Sequence, residues 1–201
     1  MSDFPIALHG ERIKAVIVGG GNVGTRKARA LLDAGAQVTV VARELSAELE
    51  DMARARKITV VRGEYASHHI GGATLVIAAT SSREINGQIA IDARANGQLV
   101  NITDHPDEGN FHTMAVHRSG EVTIAVSSGG VPGAAARIRD AIAERFDSRY
   151  ERAVSVLRGL RTRSLANGDE RWPEAASTLL GRDFCDSVEN GTFADRVNSW
   201  R

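Results

Sequence analysis

An α/β architecture built on a parallel sheet, followed by a smaller helical region, is predicted for this 201-residue sequence by three observations. Short unbroken apolar runs alternate with helical patterns from residue 13 to about residue 103. A glycine-rich turn sits at the first junction between a run and a helix. Beyond Asp147 the β-branched runs become scarce. Strands that are apolar on both faces belong in a sheet with helices packed on both sides, which is the arrangement that strand–helix alternation produces.

In chain order, Ile13–Val18 reads as a buried strand, and Gly24, Ala28 and Leu31 share one face of a helix that Gly35 stops. Val38–Val41 is a second strand, and Leu45, Leu49 and Met52 mark a second helix. Ile58–Val61 and Leu75–Ala79 are the third and fourth strands. Ile85, Ile89 and Ala93 lie on a third helical face, ended by Asn96-Gly97, and Leu99–Ile102 is a fifth strand. The pattern then changes. Phe111–Arg118 and Glu121–Val126 read as a hairpin turning at Ser119-Gly120. Ser127-Ser128-Gly129-Gly130 precedes a helix from about Ala134 to Phe146, and the remainder to Arg201 is helical. The predicted division is 1–109, 110–147 and 148–201.

Gly19-Gly20-Gly21-Asn22-Val23-Gly24 fits the pattern G-x-G-x-x-G between a strand end and a helix start. Gly19 permits a tight turn, Gly21 lets backbone approach a pyrophosphate, and Gly24 allows close helix–strand packing. The uncommitted N–H groups at the helix start suit phosphates. A Rossmann-type domain holding a dinucleotide is the functional expectation; a tight turn with no ligand is its alternative. After the second strand comes Arg43-Glu44. Glu44 suits ribose hydroxyls, whereas Arg43 suits a 2′-phosphate or stacking on adenine, so these residues leave NAD and NADP both open.

Ligands of open α/β sheets sit beyond the C-terminal strand ends. There the fourth strand supplies Thr80 and Ser81, small polar residues able to line a nicotinamide pocket. The fifth supplies Asn101, counted with the cofactor contacts, and Asp104. A carboxylate beside a nicotinamide can take the proton released as hydride leaves; alternatively Asp104, with Pro106 and Asp107 following, simply opens a turn. Ser127, Ser128, Gly129 and Gly130 are candidates for a second anion site, or an ordinary loop with a serine cap.

Composition narrows the classes. Lys+Arg 25 against Asp+Glu 25 gives zero formal charge, without the basic excess of a nucleic-acid binder. Cys185 is the lone cysteine, which excludes an intramolecular disulfide and a CxxC pair. His105, His112 and His117 lie close in sequence, but strand alternation sets His112 and His117 on opposite faces, and His68-His69 falls in a loop-like surface segment. No metal site is expected. The absence of a basic leader and of an apolar run of ~20 residues predicts a cytoplasmic protein that does not enter the membrane.

Residues 4 to 145 resemble the precorrin-2 dehydrogenases, the NAD-dependent module of siroheme synthases. The resemblance rests on Phe4-Pro5-Ile6, Lys14–Gly24, Arg26-Lys27-Ala28, Gly35–Val41, Leu75–Thr80, Asn86, Val100-Asn101, Asp104, Phe111 and Thr123–Gly130. It implies oxidation of precorrin-2 to sirohydrochlorin with NAD as cofactor. It implies contacts from Asn22, Val23, Arg43 and Glu44 to the dinucleotide, with Asp104 as catalytic aspartate. It further implies a homodimer formed through residues 110–147 and a helical tail that closes over the tetrapyrrole. Some members also insert Fe2+ into sirohydrochlorin. The chain departs from the family pattern at Phe111-His112-Thr113-Met114 and at Val131–Ala136. These departures keep a dehydrogenase of another substrate as one alternative; a nucleotide-sensing regulatory domain is the other. With no methyltransferase domain in the sequence, another protein is expected to supply precorrin-2. Arg152, Arg158, Arg161 and Arg163 are expected to face the polyanionic substrate.

Overall fold

A computed structural model describes residues 3–168 and 171–200; Met1, Ser2, Asp169, Glu170 and Arg201, which fall within the predicted 1–109 and 148–201 segments, lie outside the described residues. The chain forms two compact units, Met1–His112 and Thr113–Arg201.

The first unit is the predicted Rossmann-type sheet. Its strands are β1 (Lys14–Val18), β2 (Gln37–Ala42), β3 (Thr59–Arg62), β4 (Leu75–Ala78) and β5 (Leu99–Ile102), all parallel in the order β3-β2-β1-β4-β5. Side chains alternate between two cores, which is why the strands are apolar at successive positions. Ala15, Ile17, Val38, Val40, Leu75 and Ile77 face helices α1 (Asn22–Asp33) and α2 (Ala47–Arg54) through Ala28 and Leu49. Val16, Val18, Val41, Val76, Ala78, Val100 and Ile102 face α3 (Arg83–Ala95) through Ile89, Ala90 and Ala93. Removing one such side chain from water contributes about 1.5–3 kcal/mol, so the two cores hold the sheet.

Serine caps set two helix starts. Ser46 accepts from the Leu49 N–H and Ser82 from the Ile85 N–H. Leu45, read from the sequence as the start of the second helix, therefore lies before it, packed on the α1–α2 side. The outer edge of β5 is closed by Asn110. Its Oδ1 accepts from Val100 N (2.8 Å), its Nδ2 donates to Gln98 O (2.9 Å), and its own N–H donates to Val100 O (2.9 Å). The next residue, Phe111, packs into the α1–α2 core, and its carbonyl accepts from Asn101. That anchoring explains why the hairpin starts later than its apolar pattern suggests.

The second unit opens with that hairpin, β6 (Ala115–Ser119) and β7 (Val122–Val126), antiparallel about a two-residue turn whose Gly120 has φ +56°. Helices α4 (Pro132–Arg145), α5 (Ser148–Ala166), α6 (Trp172–Leu179), α7 (Phe184–Glu189) and α8 (Phe193–Asn198) follow. Tyr150, Ala153, Leu157 and Leu160 form the inner stripe of α5, and Leu179, Val188, Phe193 and Val197 pack on it together with Val122 and Phe146. Among the described residues no helix is long and apolar enough to cross a membrane.

Around this core, Glu189 Oε1 accepts from the Tyr150 hydroxyl (2.7 Å) and the Arg145 guanidinium (2.6 Å). The Tyr150 hydrogen bond and then the Arg145 pair hold the Glu189 carboxyl below the usual carboxylate range. A carboxyl depressed in the folded state stabilises it above the unfolded-state pKa, and that contribution is lost as pH falls through the folded value. Glu189→Gln is therefore predicted to weaken the second unit near neutral pH and to make its stability fall less steeply as pH drops below about 4.5. Denaturant titration followed by fluorescence of Trp172 and Trp200, both in this unit, reads the effect.

Candidate functional site

The connections from β1 and β4 leave in opposite directions, one toward β2 and the other toward β5, so their C-terminal ends flank a crevice. Over it lies the β1–α1 loop. Gly19 has φ +124°, and a Cβ there would lie 2.2 Å from the Ala79 carbonyl oxygen. A Cβ on Gly24 would lie 2.2 Å from the Gly19 carbonyl oxygen. Gly20, which the motif treats as variable, is equally constrained: its Cβ would lie 2.0 Å from the Glu44 carbonyl oxygen. Only the run of three glycines hinted at this. At Gly21 a Cβ would meet nothing within 4 Å, so the backbone is open there.

Helix α1 starts at Asn22 with Gly21 as N-cap, no capping side chain and no acidic residue in its first turn. Asn22 and Val23 are exposed. The first-turn N–H groups and the positive end of the helix dipole are thus left for an anion. Thr25 is turned inward instead. Its hydroxyl donates to Gly21 O (2.9 Å), so in its 2.8 Å contact with Ser46 the proton comes from Ser46. The Ser46 N–H in turn donates to Gly20 O (2.8 Å), locking the loop to the turn after β2.

Arg43 and Glu44 occupy that turn, both exposed. Arg43 pairs with Glu64, beyond the end of β3, at 2.5 Å. Sequence reasoning missed Glu64, because a partner contributed by a neighbouring strand has no signature in local spacing. Both side chains are more than two-thirds exposed, so the pair contributes little stability, about 0–1 kcal/mol. It does set where the cation sits.

Thr80 and Ser81 follow β4, and Thr80 is bonded through both its backbone and its hydroxyl to Asn86 of α3. Asn86 is fully buried, and its Nδ2 also donates to Asp104 Oδ1 at 2.9 Å. Asp104 is itself exposed, one residue beyond the last sheet hydrogen bond of this strand, from Thr103 N to Ala78 O (3.0 Å). The turn that follows is tied to α3 by Arg83, which pairs with the Glu108 carboxylate, and by Arg94, which donates to the Glu108 carbonyl. The glycine loop, Arg43, Glu44, Thr80, Ser81 and Asp104 thus all lie at the C-terminal ends of the strands.

Asn101 does not join them at the surface. It sits within β5, 5% exposed, donating to Phe111 O (3.1 Å), and its Oδ1 is buried without a hydrogen-bond partner. Ser127, Ser128, Gly129 and Gly130 belong to the second unit, between β7 and α4. The Ser128 hydroxyl donates to Val131 O (2.5 Å), and α4 starts without a side-chain cap. Of the α5 arginines, Arg158 pairs with Glu121 and Arg152 donates to Ser148. His117 meets the Phe146 carbonyl and His112 lies 3.7 Å from Asp3. Among the described residues no three His, Cys, Asp or Glu side chains gather as metal ligands would.

The chain matches the family described as putative NAD(P)-binding over residues 6–115. It is 36% identical over 198 residues to a siroheme synthase of Chromobacterium violaceum, covering 98% of this chain and 41% of that protein. It is 39% identical over 183 residues to the siroheme synthase of Ectopseudomonas mendocina, covering 90% and 38%. The chain therefore spans about two fifths of these curated relatives. The solved structure of SirC, precorrin-2 dehydrogenase, shares the fold with TM-score 0.78 and 24% identity over 98% of this chain and 100% of that one.

The glycine geometry separates two effects. Gly20→Ala forces backbone apart and is predicted to cost about 1–3 kcal/mol of stability. Gly21→Ala is predicted to leave the melting temperature unchanged while weakening dinucleotide binding, because its methyl fills only the open approach. Thermal melts and calorimetric titration of the dinucleotide check both.

Proposed function

Because this chain belongs to the putative NAD(P)-binding family, we propose that it is an NAD-dependent dehydrogenase that oxidises precorrin-2 to sirohydrochlorin in siroheme biosynthesis. One observation carries the reading: a carboxylate, Asp104, stands at the C-terminal end of the same sheet as an uncapped, acid-free helix start. The names of the relatives, siroheme synthases matched over nearly all of this chain and a precorrin-2 dehydrogenase of the same fold, supply the substrate.

The residues present fit a dinucleotide. Gly19, Gly20 and Gly24 have no room for a Cβ, whereas Gly21 has open space and borders the N–H groups of Asn22, Val23 and Gly24. In this reading those N–H groups hold the pyrophosphate, Glu44 takes the ribose hydroxyls, and Thr80 and Ser81 line the nicotinamide end. Arg43 is already paired with Glu64 and adjoins Glu44. A 2′-phosphate would have to break that pair and face two carboxylates, which favours NAD over NADP.

Oxidation takes two electrons and two hydrogens from the substrate. Bound NAD+ supplies the hydride acceptor. Asp104 takes the remaining hydrogen as a proton and, being exposed, returns it to water. The Ser127–Gly130 turn and the α5 arginines Arg161 and Arg163 are proposed, as features of the second unit by itself, to bind anionic groups. The reading carries a cytoplasmic setting with it, and Fe2+ enters it only as a second substrate, for insertion into sirohydrochlorin.

We also place a homodimer contact on residues 110–147. Helix α4 buries only Ala135, and Val131 and Ile138 beside it are 57% and 48% exposed. Helix α4 packs on β6 and β7, and the apolar side chains it leaves exposed suit a second surface laid against it.

Anaerobic assay with precorrin-2 and NAD+ is predicted to yield substrate-dependent NADH, with NADP+ a poorer acceptor. Asp104→Asn is predicted to lower kcat by about 10²–10⁴-fold while NAD+ affinity is retained. Adding Fe2+ to the completed reaction reads metal insertion. Sedimentation is predicted to give a dimer that Ile138→Glu shifts toward monomer.

A further inference from the structure

We propose that Asn86 is the positioning residue of the reaction, holding the Asp104 carboxylate in register with Thr80 at the nicotinamide end of the cleft. The inference rests on the dehydrogenase reading above and adds a residue to it.

Asn86 has all its hydrogen-bonding capacity assigned. Its Oδ1 accepts from Thr80 N (3.3 Å) and from the Thr80 hydroxyl (2.7 Å). Its Nδ2 donates to Thr80 O (3.1 Å) and to Asp104 Oδ1 (2.9 Å). The backbone of Thr80 thus reads the amide at both ends, with a donor for its oxygen and an acceptor for its nitrogen. A flipped amide would set N–H against N–H and oxygen against oxygen, so the end that reaches Asp104 is the N–H end. Asp104 is accordingly gripped as an acceptor, by one oxygen, leaving Oδ2 to receive the proton.

The placement is rigid on one side only. Asn86 is fully buried on α3, one turn after the Ser82 cap. Asp104 is exposed and lies past the end of the sheet ladder, where backbone pairing no longer fixes it. Arg83 and Arg94 of the same helix hold the far end of its turn through Glu108. These clamp the loop but not the carboxylate, which Asn86 reaches directly. Because the same amide grips Thr80, it sets the distance between the base and the residue lining the cofactor end. Displacing a reacting group by about 1 Å costs on the order of 10²-fold in rate.

Asn86→Asp is the discriminating variant. Its carboxylate can still accept from the N–H and hydroxyl of Thr80, but it has no N–H for Asp104. The expected result is a kcat lower by about 10²-fold, with NAD+ affinity by titration unchanged. In an Asp104→Asn background the same change should cost nothing further in kcat. The double variant should also melt at a higher temperature than Asn86→Asp alone, since the amide introduced at position 104 can donate to the carboxylate introduced at position 86 and restore the contact. Should Asn86→Asp fail to fold, Asn86→Ser, which shortens the side chain without adding charge, carries the same kcat expectation and the same absence of further loss in the Asp104→Asn background. A normal kcat in either single variant, or a loss just as large in the Asp104→Asn background, overturns the positioning role alone. A normal kcat for Asp104→Asn overturns the proton-acceptor reading and the positioning role together.

Discussion

The parallel pairing of β1 with β4 is the constraint on which the rest of the first unit depends. These two central strands carry chains that depart in opposite directions, so their own connections leave open the space beyond their ends. Into it project a loop that must be glycine to lie so close to its neighbours, and the start of a helix with no cap of its own. Both are tolerable only because the ladder beneath is buried in two apolar cores. The site is an opening left by a well-packed sheet rather than a pocket carved into one.

Local features of the cleft were legible in the sequence because local chemistry produces them. The strand–turn–helix spacing around Gly19–Gly24 specifies the loop, and Asp104 follows from counting past the fifth apolar run. Contacts made across strands were not legible. Gly20 is constrained by Glu44 and Arg43 is paired with Glu64, each some twenty residues away in the chain. Asn101 illustrates a subtler loss. Its position next to the strand end suggested the cleft, yet period-two alternation turns it from the α3 face, which Val100 and Ile102 share, to the face where Phe111 covers it. The alternation was readable, but the chain that returns over that face was not. Asn86 was visible only as part of a resemblance; its reach from a buried helix face to an exposed carboxylate is purely three-dimensional.

The second unit shows another limit of sequence reading. Its helices follow from composition, and the stripe of α5 from spacing, but the polar ring around the core does not. Tyr150, Glu189, Arg145, Arg149 and Asp147 come from two segments some forty residues apart, linking the start of α5 to the end of α7. Of the arginines expected to face substrate, Arg158 instead spends its charge on Glu121 of the hairpin turn. A cationic side chain read from sequence is a candidate for a ligand only until the neighbours claim it.

Asn110 has a bearing beyond its own hydrogen bonds. With one side chain and one N–H it satisfies the backbone groups of Gln98 and Val100 that a sixth strand would otherwise seek. An open edge of this kind is a template for sheet propagation from one molecule to the next. By occupying the edge with a single residue, the chain ends its sheet at five strands without needing a sixth. Crowded copies of the protein thereby lack a growth point at the start of β5, closed by the same return segment that leads out of the Asp104 turn.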